Sequence, residues 1–136
     1  TVYLKKPMSS SELGQSIRSA EAFLNRMEAY ALSGEEGLAL AELNAFRKTR
    51  VIGYTDVNLS GQALLDEIRL ERRKELCFEG HRWFDLRRLG MPEIKHIYVD
   101  DQNGHQTVHT LQKEDPRYVL PIPERVIEKN PNLREK

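Results

Sequence analysis

From residue 16 onward, apolar side chains recur at intervals of three and four, the spacing that gathers them on one face of an α-helix. Ile17, Ala20, Phe23, Leu24, Met27, Tyr30 and Ala31 make the first such stripe, and Gly34 follows where a left-handed C-cap would stop the helix. A second stripe opens with acids at Glu35 and runs through Ala39, Leu40, Leu43 and Phe46 to the basic run RKTR before Val51. Acids first and bases last is the order that suits a helix dipole. The connection is so short that the two helices must be antiparallel neighbours.

Within this pair, Phe23, Tyr30, Gly34 and Ala39 fall where the tetratricopeptide pattern wants an aromatic, a tyrosine, the turn and a small close-contact residue. Arg26, Met27 and Phe46 depart from that pattern, and no second copy follows at the same period. A lone helical hairpin cannot bury both faces, so it needs neighbours in this chain or another. IGYTDVNLSG, residues 52–61, reads as a turn-rich connector with Ser60 as the N-cap of a third helix. That helix buries Leu64, Leu65, Ile68 and Leu76, and Arg72 falls on the same stripe. An unpartnered buried guanidinium would cost several kcal/mol, so acids such as Glu75, Glu79 or Asp85 are expected to meet it.

After Gly80 the pattern predicts a short helix, His81 to Leu89, stopped by Gly90 and Pro92. The period then changes. Asn103-Gly104 lies between two β-prone runs, the signature of a two-residue hairpin turn that would pair Val99 with Val108 and Tyr98 with His109. YVLPIP, residues 118–123, reads as an extended edge segment, and ERVIEKNP as a last helical turn or two. The chain is therefore expected to be one mainly α segment: a lead-in over 1–15, tetratricopeptide-like helical hairpins over 16–90, and over 91–136 a small C-terminal β-hairpin with an extended and short helical end.

Composition narrows the partners. Lysine plus arginine and aspartate plus glutamate number 21 each, so no field of one sign draws nucleic acid or anionic lipid from a distance. No window approaches the roughly 18 apolar residues that cross a bilayer, and TVYLKKPM has no signal-peptide layout. Thr1 in place of an initiator methionine points to removed upstream sequence. The single cysteine, Cys77, excludes an internal disulfide and is expected to be buried between Leu76 and Phe78.

The chemistry-bearing residues read as structural. His81 and Asp85 share a helix face at the spacing of two metal ligands, but no third ligand accompanies them. Arg82, Arg87 and Arg88 interleave with Glu79 and Asp85, which favours a charge network between helices over phosphate binding. Trp83 and Phe84 are expected to fill a joint, and RLERRKE to be a salt-bridged face. Three of the four histidines sit in the hairpin, where His96, Tyr98, Asp100, His105, Thr107 and His109 share one face and Ile97, Val99 and Val108 the other. His105 and His109 are about 13 Å apart along a strand, which leaves a diagonal His96 and His109 pair as the one conceivable chelate. No nucleophile elbow, phosphate loop or carboxylate pair in an apolar pocket is legible. No catalytic residue, metal ligand or cofactor is assigned, and no ligand-binding residue is identified.

LLDEIRLERRKELCFEGHRWFDLRRLG, residues 64–90, followed by YVLPIPERVIEKNPNL, residues 118–133, closely resembles the C-terminal region of the SusD/RagB family. RSAEAFLNRMEAYALSG, residues 18–34, looks like the family's preceding helix. The resemblance implies a lipid-anchored, glycan-binding, non-enzymatic protein of the outer membrane surface of Bacteroidetes. It would take oligosaccharide or polysaccharide and cap a SusC-like TonB-dependent transporter in nutrient uptake. It also implies that this segment is a C-terminal portion lacking the lipidation cysteine and mostly scaffold; separately, the apolar helix faces left uncovered by so short a segment are expected to make it self-associate or pack against further chain. After NPN, LREK replaces the family's glutamine-asparagine-proline-glycine type of ending. Two other classes remain: a stand-alone tetratricopeptide-like adaptor for a protein partner, and a small metal-dependent enzyme using the hairpin histidines.

Overall fold

The structure, a computed structural model, describes residues 18–100 and 103–133; the lead-in over 1–15 and Ile17 lie outside the described residues. The described chain forms α1 (Ser19–Leu32), α2 (Glu36–Lys48), α3 (Gly61–Glu75), α4 (His81–Arg88), strands β1 (Ile94–Val99) and β2 (Gln106–Leu111), and α5 (Glu124–Lys129). It divides into two compact units, one ending at Arg82 and the other beginning at Trp83, two residues into α4. The mainly α class with a small antiparallel hairpin is as the sequence reads.

In the helical unit the stripes set the packing. Gly34 takes the left-handed conformation, φ +85°, and the amide of Glu35 returns to the Tyr30 carbonyl at 2.9 Å, so α1 closes and α2 folds back against it. α3 packs on both. Leu24, Met27, Leu43, Leu64 and Ile68 are fully buried, with Ala20, Ala39, Phe46 and Leu76 around them. Each such leucine contributes about 1.5–3 kcal/mol by leaving water.

Four expectations change in this unit. Phe23 is 45% exposed, because α1 buries Ala20, Leu24, Met27 and Glu28 and Phe23 lies at the edge of that stripe. The Arg26 guanidinium covers its ring instead, 5.1 Å from the centroid. Leu65 is half-buried. Ser60 holds the N-cap position of α3 with extended backbone, yet its side chain makes no capping bond. Cys77 is exposed, not buried: α3 ends at Glu75, and over Leu76–Gly80 the chain turns, with Phe78 at φ +63°, so the helical phase that would keep Cys77 beside Leu76 is lost. Among the described residues no helix is long and apolar enough to cross a membrane.

The second unit has little interior. Leu86 and Tyr118 are its buried apolar side chains among the described residues, and Trp83 stacks on Tyr118 with ring centroids 5.0 Å apart. Tyr118 sits in a 3-10 turn, Pro116–Tyr118, and its hydroxyl donates to the carbonyl of Pro92. YVLPIP joins no sheet. β1 and β2 pair antiparallel with Tyr98 opposite Thr107, Val99 opposite Gln106 and Ile97 opposite Val108. The expected pairing of Val99 with Val108 and of Tyr98 with His109 is therefore wrong by two residues. The amide of Asp100 donates to the His105 carbonyl and that of Gly104 to the Asp100 carbonyl, so the connection beyond the Asp100 and His105 pair spans four positions, not two. A two-residue change preserves which face each side chain takes, so the division into a histidine face and an apolar face holds.

Candidate functional site

The densest chemistry lies across α1, α2 and α3, whose arginines and acids pair from one helix to another. Arg47 of α2 is buried and donates from Nε to Glu71 Oε2 at 2.8 Å and from Nη2 to Glu67, both of α3. Burial alone would depress its pKa; the bonds to Glu67, Glu71 and Tyr54 outweigh that and hold it above the ordinary guanidinium value. Arg69 of α3 reaches back to the buried Glu28 of α1 at 2.9 Å. Arg18, at the N-cap of α1, bridges Glu75 and Glu79, and Arg50 also binds Glu75 while lying 4.5 Å over the Phe46 ring.

Arg72 is buried as the stripe requires, and α1 supplies it with Asn25 Oδ1 at 2.7 Å and Glu21 Oε1 at 3.3 Å. Glu75, one of the acids expected to meet it, is taken by Arg18 and Arg50. Glu21 also lies 3.6 Å from His81 Nδ1. RLERRKE is thus a salt-bridged face, with its bridges running between helices instead of along one. Guanidinium groups packed among carboxylates in this way have their donors turned inward, away from any anionic ligand.

Asn44 and Arg47 carry much of this arrangement and were not singled out from the sequence. Asn44 is buried; its Oδ1 accepts from the Tyr54 hydroxyl at 2.8 Å and the Val57 amide at 3.0 Å, and its Nδ2 donates to the Val57 carbonyl at 3.0 Å. One side chain therefore ties the 52–60 connector to α2. The signal was present: both residues fall on the Leu40 and Leu43 face at helical spacing.

In the second unit Asp85 is buried and accepts from Arg88 Nε at 2.9 Å. Trp83 is half-buried, and its Nε1 is buried with no hydrogen-bond partner among the described residues. Phe84 is 66% exposed, so of the two adjacent aromatics Trp83 is the one packed inward, on Tyr118; successive helical residues point about 100° apart. Asp115 accepts from the Arg117 guanidinium at 2.8 Å and from the Arg117 backbone amide at 2.8 Å, which together pull the carboxyl down to about 2. His96, Tyr98, His105, Thr107 and His109 are exposed on one hairpin face. His96 stands directly opposite His109, not diagonal to it. Among the described residues no group of three or more histidine, cysteine or acidic side chains is placed to hold a metal.

Comparison with known proteins agrees with the geometry. The family model for the SusD family matches residues 6–136. None of the curated proteins matches. Among solved structures, a SusD-like carbohydrate binding protein from Bacteroides vulgatus ATCC 8482 is 28% identical with a TM-score of 0.56. The match covers 88% of this chain and 29% of that one, so the chain spans under a third of the relative's length.

Proposed function

The chain belongs to the SusD family, and on that premise we propose that it is part of a protein that captures glycans at the bacterial cell surface and passes oligosaccharide to a TonB-dependent transporter of the outer membrane. The protein is held by a lipid anchor, in the manner the family resemblance implies, and it binds its glycan without transforming it. Within it this segment is mostly scaffold. The observation that carries the scaffold reading is the set of buried, mutually satisfied ion pairs across α1, α2 and α3, with Arg47, Glu71 and Arg72 at its centre. Arg47 and Arg72, buried and bonded from helix to helix, are not presented to a sugar. The solved relative's description as carbohydrate binding supports the ligand class.

The test is made on the protein in its native cells. The reading expects cleavage by protease added to intact cells, co-purification with a TonB-dependent transporter, and retardation in native gels containing at least one polysaccharide. A protein shielded from protease, purifying without a transporter and unmoved by every polysaccharide, refutes it. Substitutions within the ion-pair set should lower stability, and glycan affinity should fall only in step with the folded fraction.

A further inference from the structure

We propose that His96 and His109 form a two-imidazole site for a borderline divalent transition ion such as zinc, and that the ion clips β1 to β2. The four-position connection makes this possible. With a two-residue turn at Asn103-Gly104, His109 would stand opposite Tyr98 and only diagonal to His96, whereas the observed register sets the two histidines directly across from each other. Side chains so placed have Cβ atoms about 4.5–5.5 Å apart, and two imidazoles leaning together from that spacing can meet one ion at the usual Zn–N length of about 2.0–2.1 Å. Imidazole is a ligand for zinc, nickel and copper and a poor one for magnesium or calcium.

Both rings are exposed, so the site needs no opening to load. Its protein ligands number two, and solvent completes the coordination, which makes the bound ion readily exchangeable. His105 is on the same face but four residues from His109, about 13 Å along the strand, and cannot join. The hairpin has reason to gain from a clip. A two-stranded sheet is marginal in water on its own, and here Ile97, Val99 and Val108 on the other face are all exposed. An ion that binds only the paired strands favours pairing by mass action.

The experiment uses the protein freed of any purification tag, titrated with zinc chloride and in parallel with magnesium chloride. Imidazole nitrogen resonances and the amides of β1 and β2 report binding. Expected are saturable one-to-one shifts of His96 and His109 with zinc, none with magnesium, and slower hydrogen exchange of the strand amides in the zinc form. His96→Asn and His109→Asn should each weaken zinc binding roughly tenfold or more, since a chelate becomes a single ligand, while His105→Asn leaves it unchanged. All three positions are exposed, and the strand amide spectrum verifies that each variant keeps its hairpin. Absence of saturable zinc shifts in the unsubstituted protein overturns the proposal. So does equal weakening by His105→Asn, or zinc binding that leaves strand exchange unaltered.

Discussion

Glu71→Gln removes the charge that faces Arg47 at the most buried point of the helical unit. The Glu71 side chain is 4% exposed and that of Arg47 8%, whereas Glu67, the other carboxylate on Arg47, is 30% exposed. Breaking a buried pair from one side leaves an uncompensated charge and costs about 3–5 kcal/mol. Glu67 remains in place and hydrated, which puts the cost at the lower end, about 3 kcal/mol. With a urea slope of about 1.5 kcal/mol/M, the unfolding midpoint followed by helical circular dichroism should fall by about 2 M. Glu67→Gln should cost under about 1 kcal/mol, as a partly exposed pair does. The double substitution Arg47→Met with Glu71→Leu, which takes both charges out and restores apolar packing, should recover most of the loss. If Glu71→Gln and Glu67→Gln cost the same, or if the apolar double variant is as unstable as Glu71→Gln alone, then burial does not set the energetics of this network.

Leu24→Ala should cost about 2–5 kcal/mol, since Leu24 is fully buried in the helical core, whereas Phe23→Ala at the next position should cost under about 1 kcal/mol; chemical denaturation of both separates the stripe from its edge. Asp115, depressed by Arg117, contributes stability that is complete above the ordinary aspartate pKa and is lost as pH falls from about 4 through about 2. A carboxyl carbon titration should place its midpoint near 2, and Arg117→Ala should raise it toward the ordinary value. The apolar side chains left in solvent around the hairpin should make the isolated chain self-associate, with a mass by light scattering that climbs with concentration; a constant monomer mass that binds no hydrophobic dye counts against this.

Periodicity is information about phase within one element, and it was read well at that level. The stripes of α1, α2 and α3, the left-handed stop at Gly34 and the break at Gly90 follow from spacing and glycine alone. What spacing does not encode is the rotation of one helix about its axis relative to the next. That rotation gives Arg72 its partners on α1 and hands Glu75 to Arg18 and Arg50. The same limit hid Asn44 and Arg47, whose position on the α2 face was visible while the groups that make their burial tolerable lay on the connector and on α3. Cys77 leaves the α3 phase for a different reason: the helix ends at Glu75 and Phe78 takes a left-handed conformation that no glycine announces. In the hairpin, Asn103-Gly104 marked the right place and the wrong length. Face assignment survived because strand period is two and the error was two.

The two units show opposite uses of a charge-rich sequence. In the helical unit, arginines and acids enter the interior alongside Leu24, Leu43 and Leu64, and each buried charge is met by a group on another helix, so the pairs fix which helix lies where. Such pairs add little net stability over apolar packing but penalise every misaligned arrangement heavily, since a slipped helix strands a buried charge. In the second unit the buried charge among the described residues is Asp85, held by Arg88 of the same helix. Beyond Leu86, Tyr118 and the Trp83 stack this unit leaves Phe84, Ile97, Val108, Val119 and Leu120 in solvent. A two-stranded sheet is marginal in water by itself, so an ion clipping β1 to β2 would supply order where packing supplies least.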